Sequence, residues 1–131
     1  MEYVIIHTRF HMEEKLKKYY REIDILELKA LVERKLEKTP PTMEYVRNLI
    51  LDVKLLLRVL LDEEFSLKED ARKDMISALL YFVEPRDSIP DFIPLIGLRD
   101  DYKLVRYVKE KHKGEIDRYF ESTPFFVANY F

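Results

Sequence analysis

"MEYVRNLILDVKLLLRVLLD", residues 43–62, is the stretch that decides the fold. Val46, Leu49, Ile50, Val53, Leu56, Leu57 and Leu60 recur at three- and four-residue steps, which is the period of a helix. Leu51, Leu55 and Val59 carry the apolar surface beyond that face, and only a narrow strip with Arg47, Lys54 and Arg58 is charged. A helix apolar over most of its circumference belongs at the centre of a bundle, with other helices around it. The stretch therefore predicts an all-α protein with residues 43–62 as its central helix.

The flanks read the same way. Upstream, a helix is expected from Arg9 to Lys38, with Leu16, Tyr19, Tyr20, Ile23, Leu26 and Ala30 as one stripe and Leu28, Val32 and Leu36 widening it. Glu13 with Lys17 and Glu14 with Lys18 add about 0.2–0.5 kcal/mol each on the wet side. "TPPT", residues 39–42, stops that helix, because Pro cannot continue one and disfavours helical geometry in the residue before it. Thr42 is the expected N-cap of the central helix, with Glu44 in its first turn. Downstream, Ser66 with Glu69 forms a capping box for a third helix that buries Ala71, Met75, Ala78, Leu79 and Phe82. A fourth helix after Gly97 turns Leu104, Val105 and Val108 inward. Lys111, His112 and Lys113 suit its negative end, and Gly114 suits a left-handed C′ position. "EIDRYFES" is a short fifth piece, and the tail "TPFFVANYF" has no clear period. "YVII" near the N-terminus has β character and could pair with the tail, but a lone two-stranded ribbon is marginal. The expectation is one compact all-α domain, residues 1–131, of about four main helices with a stiff Pro/Asp-rich loop between the third and fourth. Within it, residues 1–41 hold the N-terminal helix, 42–122 the helical core and 123–131 the aromatic tail.

Composition narrows the roles. A hydrophobic fraction of 47% in 131 residues is enough for a core and excludes a disordered chain. A net charge of −2 gives no basic excess for nucleic acid. With no Cys, disulfides and thiolate metal sites are excluded. There is no Gln or Trp, Asn occurs only at 48 and 129, and 37% of residues are charged, a profile that suits a protein from a hot environment. The start "MEYVIIHTRF" lacks the apolar run of a signal peptide, and "LLLRVLL" is interrupted by charge well short of a membrane span. A soluble, cytoplasmic protein without a transmembrane span is expected.

The segment between the third and fourth helices, "YFVEPRDSIPDFIPLIGLRDD" (81–101), sets three prolines and four aspartates among Phe, Ile and Leu. Pro85, Pro90 and Pro94 push Glu84, Ile89 and Ile93 from helical geometry, so Asp87 and Asp91 do not share a helix face. With the preceding "ALL", the segment resembles the signature of the YkvA-like family of small bacterial and archaeal domains, a family with no established function. Pro85, Asp87, Pro90, Asp91, Pro94, Gly97, Asp100 and Asp101 carry the resemblance, which covers about residues 70–108. Glu84, Arg86, Ser88 and Arg99 depart from the pattern, being more polar or larger than its usual residues. Some family members are membrane-associated, an implication these polar departures weaken.

Two chemistries compete for the aspartates. Asp87, Asp91, Asp100 and Asp101 bracket one loop, and oxygen ligands suit Mg²⁺, Mn²⁺ or Ca²⁺, from which a metal-dependent hydrolase is conceivable. The spacing fits no calcium loop, however, and Asp beside Pro accepts from backbone amides in turns. Asp100 and Asp101 would also stand in the first turn of the fourth helix, where negative charge is stabilising. Capping of the loop is the expected role, with no cofactor. His7 and His11, four apart with Glu14 near, are a weaker candidate for Zn²⁺. No catalytic set assembles from three His residues. The leading functional expectation is a non-enzymatic module that binds a protein partner or another copy of itself. Peripheral membrane contact through Phe92, Ile93, Leu95 and Ile96 is the third reading.

Overall fold

Leu49, Val53 and Leu56 are fully buried at the middle of a set of six helices. The computed structural model describes residues 2–84 and 94–123; for 2–8 and 94–97 it describes the backbone alone. The helices are α1 (Glu2–Lys18), α2 (Ile25–Glu37), α3 (Glu44–Leu61), α4 (Glu69–Val83), α5 (Pro94–Lys111) and α6 (Lys113–Ser122), and no strand occurs among the described residues. Among the described residues the all-α expectation therefore holds, with six helices in place of about four.

The central helix is where the sequence put it. α3 buries eight apolar residues, among them Val46, Leu49, Val53, Leu56 and Leu60, together with Asp52. Each full burial of a Val or Leu contributes about 1.5–3 kcal/mol before ordering entropy is subtracted. α3 packs most extensively on α5, and α4 lies against α2, α3 and α5. Ala71, Met75, Ala78, Leu79 and Phe82 on α4, and Leu104, Val105 and Val108 on α5, are all fully buried as their spacing requires.

The long first helix is two. Residues 19–24 separate α1 from α2, and Asp24 caps α2 by accepting from the Leu26 amide at 3.1 Å. The break resets the helical phase. Leu16 remains on the buried side of α1, whereas Leu26 is 64% exposed and Ala30 lies outside; on α2 the buried pair is Leu28 and Val32. Residues 3–6, the stretch with β character, lie in α1.

Both expected N-caps are displaced. Met43, not Thr42, precedes α3 and makes no side-chain cap. α4 starts at Glu69 after Lys68, so Ser66 and Glu69 form no capping box. A distant group replaces it: the buried carboxylate of Glu115 on α6 accepts from the Lys68 amide at 3.2 Å. Arg118 holds that carboxylate at 2.7 Å and also donates to the Ser66 carbonyl. A charge-assisted tertiary cap of this kind outweighs a local Ser–Glu box.

α5 begins three residues before Gly97, at Pro94. Proline suits a first helical turn because its missing N–H would have no intrahelical partner there. Asp100 and Asp101 consequently stand in the second turn, not the first. Gly114 does not adopt the left-handed conformation. It lies inside the first turn of α6, because the chain kinks at His112 and resumes at once, the Glu115 and Ile116 amides both donating to the His112 carbonyl.

Candidate functional site

One buried carboxylate organises the interface of α1, α4 and the α5–α6 junction. Asp74 is 2% exposed, on the flank of α4 that meets α1 and the end of α5. Its Oδ1 accepts from the Tyr20 hydroxyl at 2.5 Å. Its Oδ2 accepts from His112 Nε2 at 2.7 Å and from Lys111 Nζ at 3.0 Å. An ionised carboxylate only accepts, so Nε2 of His112 carries the proton in that bond. His112 is itself 7% exposed, which explains the kink: the ring is drawn inward to Asp74 while the backbone turns. Lys111 also pairs with Glu13 of α1, and Lys73 lies 4.5 Å over the Tyr20 ring. Close by, the Ser77 hydroxyl donates to the Leu16 carbonyl at 2.6 Å, a second buried tie from α4 to α1.

The electrostatics follow from those contacts. Burial pushes the Asp74 carboxyl upward, but hydrogen bonds from Tyr20, His112 and Lys111 overcome it, and the net direction is down. Tyr20 is driven well above an ordinary phenol, first by burial and then by its bond to Asp74. Lys111 loses some basicity to burial and regains more from Glu13 and Asp74, so its net shift is upward. These directions favour the state with Asp74 ionised, Lys111 charged and Tyr20 neutral. Oδ2 already holds two donors and Oδ1 one, so the carboxylate acts as a hydrogen-bond hub rather than a free base.

Two surface features surround this framework. A cleft of about 350 Å³ at the α1–α2 turn has Leu31, Leu80 and Val83 as its apolar part, with Lys18 and Arg21 on its lip; inside it the Tyr19 hydroxyl is committed to Glu84. A larger groove of about 900 Å³ runs beside the C-terminal half of α3. Leu36, Leu51, Leu57 and Leu61 give it an apolar lining, and Lys54, Arg58, Asp62, Glu63 and Glu64 edge it. Tyr119 of α6 forms part of the wall, its ring set edge-on to Phe65 at 5.0 Å. The Tyr119 hydroxyl is buried without a hydrogen bond of good geometry, and burial and the nearby Asp62 charge hold it above the usual phenol range.

The residues singled out in the sequence fare unevenly. Asp87 and Asp91 lie outside the described residues, as do Pro85 and Pro90, while Pro94 and Gly97 lie in the first turn of α5. Asp101 is 2% exposed and Asp100 partly exposed, on adjacent positions of α5. Of the proposed membrane contacts, Phe92 and Ile93 lie outside the described residues, and only the backbone of Leu95 and Ile96 is described. His7 and His11 are both on α1; His11 is exposed, and only the backbone of His7 is described. Among the described residues no group of three His, Asp or Glu side chains is arranged to hold a metal ion. His112, expected to serve the helix dipole, is instead the partner of Asp74. Asp74 itself escaped the sequence reading. The signal for it was a lone Asp among the apolar positions of α4, one residue before Met75.

Among the described residues no helix is long and apolar enough to cross a membrane. No curated protein and no solved structure matches the chain. Over residues 75–105, from the middle of α4 into α5, the chain is similar to a family described as "Protein of unknown function (DUF1232)".

Proposed function

We propose that this chain is a non-enzymatic interaction module and that the groove beside α3 is its binding face. The observation that carries this reading is the groove itself. It is an apolar channel with a charged edge, and Leu51 stands in it 37% exposed on the helix that otherwise forms the centre of the core. An exposed aliphatic side chain lining a concave apolar surface with a polar rim is the anatomy of a docking site. The Asp74 cluster supports the same reading: its donors and acceptors satisfy one another, as suits a part that holds a scaffold rigid. The narrower likeness to the YkvA-like family rests on the motif residues alone and adds no partner.

The test is site-specific photo-crosslinking in the cell, with a benzophenone side chain at position 51 and, as control, at exposed Lys103 of α5. A discrete adduct from 51 and none from 103 is the expected result. Equal labelling from both positions, or none from either, would refute the reading.

A further inference from the structure

We infer that the occupant of this groove is an amphipathic helix of another protein, with an acidic side chain and a basic one about two turns apart flanking an apolar stripe. The inference rests on the interaction reading above and goes beyond it by fixing the chemistry of the partner.

Length comes first. From Leu51 to Leu61 the groove follows α3 for about 15 Å, the rise of roughly ten helical residues. A helix laid beside α3 would set apolar side chains at i, i+3, i+4 and i+7 against the leucines of the lining. Charge gives the rest. Lys54 has no ion-pair partner among the described residues and supplies the positive charge of this edge. Beyond the end of α3, Asp62, Glu63 and Glu64 form the opposite pole. The Asp62 carboxylate accepts from the Glu64 amide at 3.0 Å and keeps its charge, so Asp62, Glu63 and Glu64 are together the acids a partner meets. On the facing wall Lys29 and Glu33 lie 3.8 Å apart and largely cancel. The groove is thus an apolar channel, positive at Lys54 and negative just beyond the end of α3, which at Leu61 lies about 10 Å further along the helix axis. A partner that carries only one sign meets repulsion at one pole. A partner with an acid and a base about seven residues apart is matched at both, and such matching sets specificity more than raw affinity.

The experiment uses the full chain and three labelled helical peptides with the same apolar stripe, read by fluorescence anisotropy. One peptide carries an acid and a base seven residues apart, one carries two acids and one carries two bases. The wild type should favour the mixed peptide over either single-sign peptide by about tenfold, since each exposed pair is worth up to about 1 kcal/mol. Lys54→Glu should move the preference to the two-base peptide. Glu63→Lys with Glu64→Lys should move it to the two-acid peptide. All three substitutions fall at exposed positions, and circular dichroism checks that the fold is kept. Equal binding of the three peptides, or preferences that the variants leave unmoved, would overturn the inference. So would an adduct at position 51 with the mass of a second copy of this chain. An adduct at 51 to another protein, with no peptide bound, would overturn the helical occupant and leave the interaction reading standing. No adduct and no peptide binding would overturn both.

Discussion

Asp74→Asn removes a charge while keeping the shape of the side chain, and its effect can be worked from the contacts. Three donors converge on Asp74: Tyr20 at 2.5 Å, His112 at 2.7 Å and Lys111 at 3.0 Å. Lys111 is one-third exposed and keeps Glu13 and water, so little is lost there after solvent screening. The Tyr20 and His112 bonds fall from charge-assisted to neutral, about 1 kcal/mol each, and the new amide N–H₂ faces donors on at least one side. The expected cost is about 2 kcal/mol for Asp74→Asn. Asp74→Ala, which strands the buried His112 ring and takes the acceptor from the half-buried Tyr20 hydroxyl, should cost about 3–4 kcal/mol. Guanidinium unfolding at neutral pH, followed by far-UV circular dichroism, reads both, with unchanged m-values showing that the same surface unfolds. The acid limb supplies a second reading. The folded pKa of Asp74 lies below its unfolded value near 3.8, so on acidification the unfolded chain takes up the proton first. Its contribution is whole above that unfolded value and disappears as pH falls through the folded one. Asp74→Asn should therefore show a shallower loss of stability in that window. A cost below about 1 kcal/mol with an unchanged acid limb would refute the assignment of Asp74 as the hub.

Other substitutions probe separate parts of the argument. Gly114→Ala should stabilise by about 0.5–1 kcal/mol in the same unfolding assay, because the position is helical, its φ is not positive and an added Cβ would meet nothing within 4 Å. Ser77→Ala should cost about 1 kcal/mol: the Leu16 carbonyl loses the buried hydroxyl but keeps the Tyr19 amide at 3.1 Å. Leu56→Ala, at a fully buried site of α3, should cost about 3–4 kcal/mol and lower the thermal midpoint accordingly. Leu26→Lys should stay within about 0.5 kcal/mol of wild type if α2 turns that residue to solvent as described; a large loss would restore the continuous first helix.

The legible parts of this fold are those set by local periodicity. The α3 stretch, the five inward positions of α4 and the three of α5 follow from i, i+3, i+4 spacing, because a side chain's face is fixed by its place on its own helix. What failed depended on partners remote in sequence. The Ser66–Glu69 box looked complete, yet the Lys68 amide is served from 47 residues away by Glu115. Tyr19, Tyr20 and Ile23 continued the α1 stripe in helical register. The actual chain breaks there, with Tyr20 reaching Asp74 across 54 residues. The α1–α2 break carries neither Pro nor Gly; its one local mark was Asp24, a good N-cap residue that a longer helix would have absorbed. His112 was legible as a helix-terminal residue but not as a buried one, since burial of its ring requires an acceptor that only tertiary structure supplies.

The bond between Asp74 and His112 also has a topological meaning. It joins residues 38 positions apart, and the segment it encloses contains the whole stretch that is similar to the family of unknown function. The entropy lost on closing such a ring grows only as the logarithm of its length: doubling the enclosed chain would add about 0.6 kcal/mol. For the unfolded chain, a few residues more or fewer inside the ring would thus alter the closure free energy by less than one ordinary hydrogen bond. The closure term in the unfolded chain is therefore nearly insensitive to how many residues the ring holds, whereas a change at either of its two ends removes the fastening itself.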